Sequence, residues 1–164
     1  MRNRRKANRL INYDYSAYGA YFITICTNNK RCLFWEKSAL NIINQQESFT
    51  LSEIGETVKS AIINIEKIYS NVIVDKYVVM PNHIHMIIML MNNNDGRTLF
   101  APTPCISRII KQFKGIVTKQ VGCAIWQKSF YDHIIRNEND YKMIWQYIDN
   151  NPLKWELDSL YISF

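Results

Sequence analysis

The hydrophobic and polar positions of this chain follow two periods, and each period indicates one kind of secondary structure. Short runs of β-branched and aromatic residues, bounded by glycine, asparagine or proline, are typical of β-strands. Pro81 and Asn82 separate two such runs, as expected of a turn. The pattern predicts four strands: Ala20 to Thr27, Val72 to Met80, His83 to Met91 and Phe130 to Ile135.

Three longer segments place apolar residues three or four positions apart, which is the spacing of one face of an α-helix. Thr50 or Ser52 is the candidate cap of the first helix. Pro152 ends the third helix, because the residue before a proline disfavours helical geometry. The predicted helices are Leu51 to Ile68, Ser107 to Gln120 and Asn139 to Asn151.

The predicted order of elements, β-α-β-β-α-β-α, is the split βαβ pattern of ferredoxin-like folds with one additional C-terminal helix. The expected fold class is therefore α+β, with helices on an antiparallel sheet. A length of 164 residues suits one domain with a buried core. We expect residues 1–164 to form a single domain, with residues 1–10 as a basic N-terminal arm. Many functions use this scaffold, so function has to be argued from particular residues.

Composition excludes several classes of protein. With 48% hydrophobic and 21% charged residues, the chain is neither a disordered tail nor a membrane protein. No apolar stretch reaches the roughly 18 residues that span a bilayer, and the N-terminus lacks a secretory signal. The four cysteines form no CxxC pair, which favours free thiols in a reducing compartment. We expect a cytoplasmic protein.

The positive charge of the chain is concentrated in two segments. Residues 1–9 and 105–120 carry nine Lys and Arg residues and no acid, and without them the net charge of +6 becomes −3. Patched basicity points to a polyanion such as nucleic acid, although a charged run is often only a solvated face. The candidate nucleic-acid contacts are Arg4, Arg5, Arg108, Lys111, Lys114 and Lys119. Trp126, Phe130 and Tyr131 either stack on unpaired bases or pack in the core.

Two of the three histidines lie in one predicted strand, at His83 and His85. Residues i and i+2 of a strand point to the same face, so both imidazoles can reach one metal ion. Hydrogen-bonded core histidines are the alternative. Either reading requires partners, because burying two polar rings without them is costly. His133, the third histidine, is expected at the surface or in an ion pair.

A second polar group lies on the last predicted helix. Tyr147 and Asn151 are four residues apart, so their side chains share one helix face. A phenol and an amide can therefore reach the same site. The alternative is that Tyr147 packs in the core and that Asn151 is simply the last residue of the helix. Spacing alone does not show whether this helix meets the histidine strand.

Five blocks of sequence, in order, resemble one family. The chain is similar over nearly its whole length to the REP-associated tyrosine transposases of the single-tyrosine HUH transposase superfamily. MPNHIH and YIDNNP are the most specific of the shared motifs. The blocks are Arg9 to Phe34, Val78 to Ile88, Phe113 to Lys119, Ile125 to Asn137 and Tyr147 to Pro152.

This resemblance implies a ferredoxin-like nuclease domain that cleaves single-stranded DNA and transfers strands through a 5′-phosphotyrosine. It implies Tyr147 as the nucleophile and His83, His85 and Asn151 as ligands of a divalent cation, Mg²⁺ or Mn²⁺. Two imidazoles and an amide would by themselves suit Zn²⁺ or Mn²⁺ better than Mg²⁺. A phenol with a pKa near 10 is a weak nucleophile at neutral pH, and the sequence shows no evident general base.

The expected partner is single-stranded DNA, in the form of hairpin-forming repeats, and a homodimer is compatible with the family. Two alternatives use the same residues. One is a catalytically idle module that binds single-stranded DNA hairpins. The other is an HUH nickase that initiates replication.

Overall fold

The computed structural model describes residues 14, 16–36, 50–92 and 105–162. Arg4, Arg5 and the rest of the predicted basic arm lie outside these residues. Within them, the predicted order of strands and α-helices is confirmed, and the bounds differ from the predicted ones by at most two residues. The elements are β1 (Gly19–Cys26), α1 (Glu53–Ile68), β2 (Val72–Val79), β3 (His83–Leu90), α2 (Ile106–Val121), β4 (Tyr131–Ile135) and α3 (Glu138–Asn150).

The four strands form one sheet in the order β2-β3-β1-β4, and all neighbours are antiparallel. This is the arrangement expected of a ferredoxin-like α+β fold, so the predicted fold class is confirmed. In the register of the sheet, Thr24 and Val78 both lie opposite His85. The pairing of β2 with β3 is interrupted between Val74 and Lys76 by a bulge, which locally redirects side chains.

Alternation along β3 divides its side chains between the two faces of the sheet. Ile84 and Met86 join the hydrophobic core, where Ile110 and Phe113 of α2 and Ile62 of α1 are also buried. Helices α1 and α2 therefore cover one face. His83 and His85 point to the opposite face, where α3 packs.

Capping residues fix the ends of the helices. Ser52, one of the two predicted caps, accepts a hydrogen bond from the Gly55 amide at the start of α1. Asn137 caps α3 in the same way, through the Asp140 amide. Helix α3 ends at Asn150, and Pro152 begins a 3₁₀ turn, Pro152–Leu157. The predicted end of the helix is right to within one residue, but Asn151, the residue before the proline, keeps helical angles of φ −59° and ψ −43°. The chain therefore passes directly from the α-helix into the 3₁₀ turn, and the expected departure from helical geometry at that residue does not occur.

Helix α3 contacts the sheet through one buried apolar residue and several polar side chains. Ile148 is the one buried residue of this helix. Lys76, beside the bulge in β2, lies 2.5 Å from Asp149 Oδ1 and 3.7 Å above the centre of the Trp145 ring. The Tyr141 hydroxyl donates to Asp75 at 2.7 Å. Side chains of the bulged strand therefore set the position of the helix that carries Tyr147.

Candidate metal and nucleophile site

Strand β3 brings the two histidine rings together on the α3 side of the sheet. The Nε2 atoms of His83 and His85 lie 3.0 Å apart, and the side chains are 0% and 3% exposed. The Trp155 ring packs beside His83, and the Phe22 ring stacks on His85 with centroids 5.2 Å apart. The histidines are therefore buried, as the core alternative requires, and also converge on one point, as a metal site requires.

The other ring nitrogen of each histidine is held by a neighbouring side chain. His83 Nδ1 lies 2.8 Å from Asn82 Oδ1, and His85 Nδ1 lies 2.8 Å from the Thr24 hydroxyl. Asn82 Nδ2 donates to two backbone carbonyls, which turns Oδ1 towards His83. Because a carbonyl oxygen only accepts, His83 Nδ1 carries the proton and Nε2 carries a lone pair. Such fixing of the distal nitrogen is typical of metal-binding histidines.

Burial keeps both imidazoles uncharged at neutral pH. Desolvation, and then the charge of Lys30, lower the pKa of His83 to about 3. Desolvation and the neighbouring His83 hold the pKa of His85 well below its usual 6.5, although Asp158 acts in the opposite direction. Neutral imidazoles are the form that binds metals.

Helix α3 places Tyr147 against the histidine pair, which spacing along the chain did not show. The Tyr147 hydroxyl lies 3.3 Å from His85 Nε2 and donates to Asp158 Oδ2 at 3.2 Å. Its ring contacts the rings of His85 and Phe22, yet the residue is 44% exposed. The phenol is thus fixed by the site and open to a substrate.

Asp158 is the residue of this site that sequence reasoning missed. Its Oδ2 accepts from Tyr147 and from Asn151 Nδ2, and lies 3.9 Å from His83 Nε2. Its Oδ1 accepts from the Leu160 amide at 2.6 Å. The sequence signal was only an acid a few residues beyond the predicted tyrosine helix, and the Pro152–Leu157 turn is what brings it back to the histidines.

The grouped side chains fit a divalent cation. Ligand atoms of His83, His85 and Asp158 lie within 4.8 Å of one another. The Oδ1 atom of Asn151 is buried and has no hydrogen-bond partner. An acceptor oxygen next to Asp158 is therefore available to bind a cation. Two neutral nitrogens, a carboxylate and an amide oxygen form a donor set for borderline or hard divalent ions.

The surroundings keep the Tyr147 phenol protonated in the absence of a substrate. Burial raises its pKa to about 12, and the charge of Asp158 and the hydrogen bond to it act in the same direction. Asn151 acts weakly against them. Attack by this oxygen therefore requires that its proton be taken up, and the Asp158 carboxylate is already its hydrogen-bond acceptor.

The basic candidates of α2 do not lie beside this cluster. Arg108, Lys111 and Lys119 are exposed on a helix that covers the other face of the sheet. Lys114 is half-buried and donates to the carbonyls of Gln127 and Ser129 at 2.8 and 2.7 Å. Burial lowers its pKa to about 8.

The aromatic candidates differ from one another in exposure. Phe130 is buried and Trp126 packs against the core, so core packing rather than a free stacking surface describes both. Tyr131 is 55% exposed. It lies opposite Thr24 of β1, which is the strand beside the histidine strand β3. His133 is exposed and its Nε2 lies 2.8 Å from Asp140 Oδ2, in agreement with the surface position and side-chain partner expected for it.

Comparisons with known proteins identify the family of this chain. Residues 20–151 match the family described as IS200-like transposases. An uncharacterised protein of Haemophilus influenzae is 37% identical over 97% of this chain and 94% of its own length. A REP-associated tyrosine transposase of Escherichia coli K12 is 33% identical over 49% of this chain and 44% of its own.

A solved structure shows the same relationship. It is that of a REP-associated tyrosine transposase bound to a REP hairpin, with a TM-score of 0.62 and 25% identity over 90% of this chain and 74% of that one. The resemblance inferred from the sequence motifs is confirmed by these matches. Among the described residues, no helix has the length and apolar character needed to cross a membrane.

Proposed function

This chain belongs to the IS200-like transposase family, and from that premise we propose that it cleaves and rejoins single-stranded DNA through a covalent bond to Tyr147. Family membership itself supports an enzyme of the transposase type. The single observation that carries the finer proposal is the position of the Tyr147 hydroxyl. It is half-exposed and lies within hydrogen-bond distance of both His85 and Asp158.

The proposed reaction is an in-line displacement at phosphorus. The Tyr147 oxygen attacks the scissile phosphate, and the bond between phosphorus and the 3′-oxygen breaks. The products are a 5′-phosphotyrosine and a free 3′-hydroxyl. The phenolic proton passes to Asp158 Oδ2, and the departing 3′-oxygen takes up a proton from solvent. Asp158 then releases its proton to solvent, so no net proton is gained or lost. Because the covalent bond to phosphorus is conserved, attack by a 3′-hydroxyl reverses the step and joins strands.

His83, His85 and Asn151 would hold a divalent cation, Mg²⁺ or Mn²⁺, with the Asp158 carboxylate beside them. When bound, such a cation polarises the scissile phosphate and neutralises charge that develops on it. Asn82 and Thr24 hold the two imidazoles in place through Nδ1. Phe22 and Trp155 exclude water from the buried sides of the rings.

Hairpin-forming single-stranded DNA is the proposed substrate, because the similar solved transposase is bound to a REP hairpin. Arg108, Lys111 and Lys119 are exposed and available to phosphates away from the site. Arg4 and Arg5 remain proposed contacts. Tyr147 and both histidines come from one copy of the chain here, so a site assembled within one copy is proposed whether or not the protein dimerises.

The test is the covalent product itself. Purified protein is incubated with single-stranded hairpin DNA from the sequence flanking its own gene, with Mn²⁺ or with EDTA, and run on a denaturing gel. We expect a DNA–protein adduct that needs Mn²⁺ and is absent in Tyr147→Phe. Tyr18→Phe, at an exposed tyrosine, serves as the matched control and keeps the adduct. Hairpin binding without any wild-type adduct contradicts the proposal and supports the idle binding module.

A further inference from the structure

A cavity of about 340 Å³ lies beside Tyr147, between α3 and the Pro152–Leu157 turn. It shares Tyr147, Asn151 and Asp158 with the proposed site. This volume is at the lower end of the range for small-ligand pockets, which suits one nucleotide-sized group. The walls outside the proposed site are Met143, Gln146, Asn150, Lys154 and Leu157.

The polar wall of the cavity consists of two amides on one helix face. Gln146 and Asn150 are four residues apart on α3, so they lie one above the other. Asn150 Nδ2 donates to the Gln146 backbone carbonyl at 2.8 Å, which leaves Asn150 Oδ1 as an acceptor. The exposed Gln146 amide offers both a donor and an acceptor. Paired donors and acceptors of this type recognise the edges of nucleobases.

The remaining walls suit the other parts of a nucleotide. Leu157 is 83% exposed and Met143 is 65% exposed, and with Leu153 they are the most exposed large apolar side chains of the described residues. Exposed apolar groups gathered at a cavity typically mark a binding surface, here one for the flat face of a base. Lys154, also exposed, adds a cation for a phosphate.

We propose that this cavity binds the single unpaired nucleotide next to the scissile phosphate, with Gln146 contacting the edge of its base. The inference rests on the proposed function, because it takes Tyr147 as the nucleophile. It adds a specificity-determining residue that touches DNA without taking part in bond breaking.

The first test measures binding alone, with the full chain in EDTA so that metal-dependent cleavage is prevented. The probes are short oligo-dT strands whose central nucleotide is dA, dC, dG, dT or abasic. Fluorescence anisotropy gives the affinities, and the NMR signal of the Gln146 side-chain amide reports contact. Gln146→Ala is compared with Gln120→Ala, an exposed glutamine of α2 on the other side of the sheet.

We expect wild type and Gln120→Ala to prefer one central base by about fivefold or more, and Gln146→Ala to lose that preference. The Gln146 amide signal should shift with the preferred base and stay unchanged with the abasic strand. Equal affinity for all five strands, or an unchanged preference in Gln146→Ala, overturns the inference.

A second test uses the adduct assay, once the cleaved bond has been mapped, with each nucleotide flanking that bond replaced in turn. Adduct rates that depend on a flanking base in wild type but not in Gln146→Ala support the inference. Equal rates for every flanking base overturn it while leaving the proposed function intact. Base-dependent binding without any adduct contradicts the proposed function and supports the cavity as a nucleotide site.

Discussion

Acidification of the metal-free protein tests whether His83 and His85 are held neutral in the fold. Both rings are buried, and the pKa of His83 falls to about 3 while that of His85 falls well below 6.5. In the unfolded chain both regain a pKa near 6.5. Below that pH the unfolded chain binds more protons than the folded one, so the free energy of unfolding decreases as the pH falls.

The expected size follows from the difference between the folded and unfolded pKa values. Stability is fully present above pH 6.5 and is lost as the pH falls towards the folded pKa. Between about pH 7.5 and about pH 5, a histidine that stays neutral only when folded contributes a loss of about 2 kcal/mol. His83, with a folded pKa of about 3, gives about 2 kcal/mol in this way, and His85 adds to the loss in the same direction.

Urea unfolding in EDTA across this pH range measures the loss. His83→Gln and His85→Gln should each reduce this loss, whatever their stability at pH 7.5. His133→Gln is the comparison at an exposed histidine outside the buried pair, and it should reduce the loss less than either of these variants. A wild-type loss below about 1 kcal/mol, or an undiminished loss in both single variants, would refute the reasoning.

Three further predictions concern other parts of the chain. Lys111→Glu should weaken DNA binding and flatten its dependence on salt concentration. Lys114→Glu should do the same and should also lower the melting temperature, because Lys114 loses its two carbonyl partners. Equal melting temperatures for the two variants would contradict this difference. Lys76→Met removes the ion pair with Asp149 and should slow adduct formation, while lowering the free energy of unfolding by less than about 1 kcal/mol. An unchanged rate of adduct formation would show that this ion pair does not position Tyr147. Gly55→Ala puts a Cβ 2.1 Å from the Phe34 carbonyl oxygen, so calorimetry should show a loss of about 1–3 kcal/mol, and an unaltered transition would contradict that close approach.

Patterns close together in sequence predicted most of the fold. The β-branched run before Asn28 and the helical spacing before Tyr69 reflect local backbone geometry, so each element was found within two residues. The shared face of His83 and His85 follows from strand alternation alone, and the structure bears it out. The family was recognised from short motifs, which the comparisons confirm.

The basic helix shows where local patterns were insufficient. The spacing of Arg108, Lys111 and Lys119 predicted a charged helix face, and these residues are exposed on α2. Spacing did not reveal that α2 covers the face of the sheet away from Tyr147. It also did not show that Lys114, in the same run of charge, is held by two backbone carbonyls.

The sequence by itself determined which segments form strands and helices and which side chains of one element share a face, because these depend on backbone geometry over a few residues. Only the tertiary structure decided that Tyr147 meets His85 and that Asp158 returns to both. Those meetings depend on how α3 packs on β2 and β3 and on the turn after Pro152. Contacts between residues distant in sequence are set by the packing of whole elements, which no local period encodes.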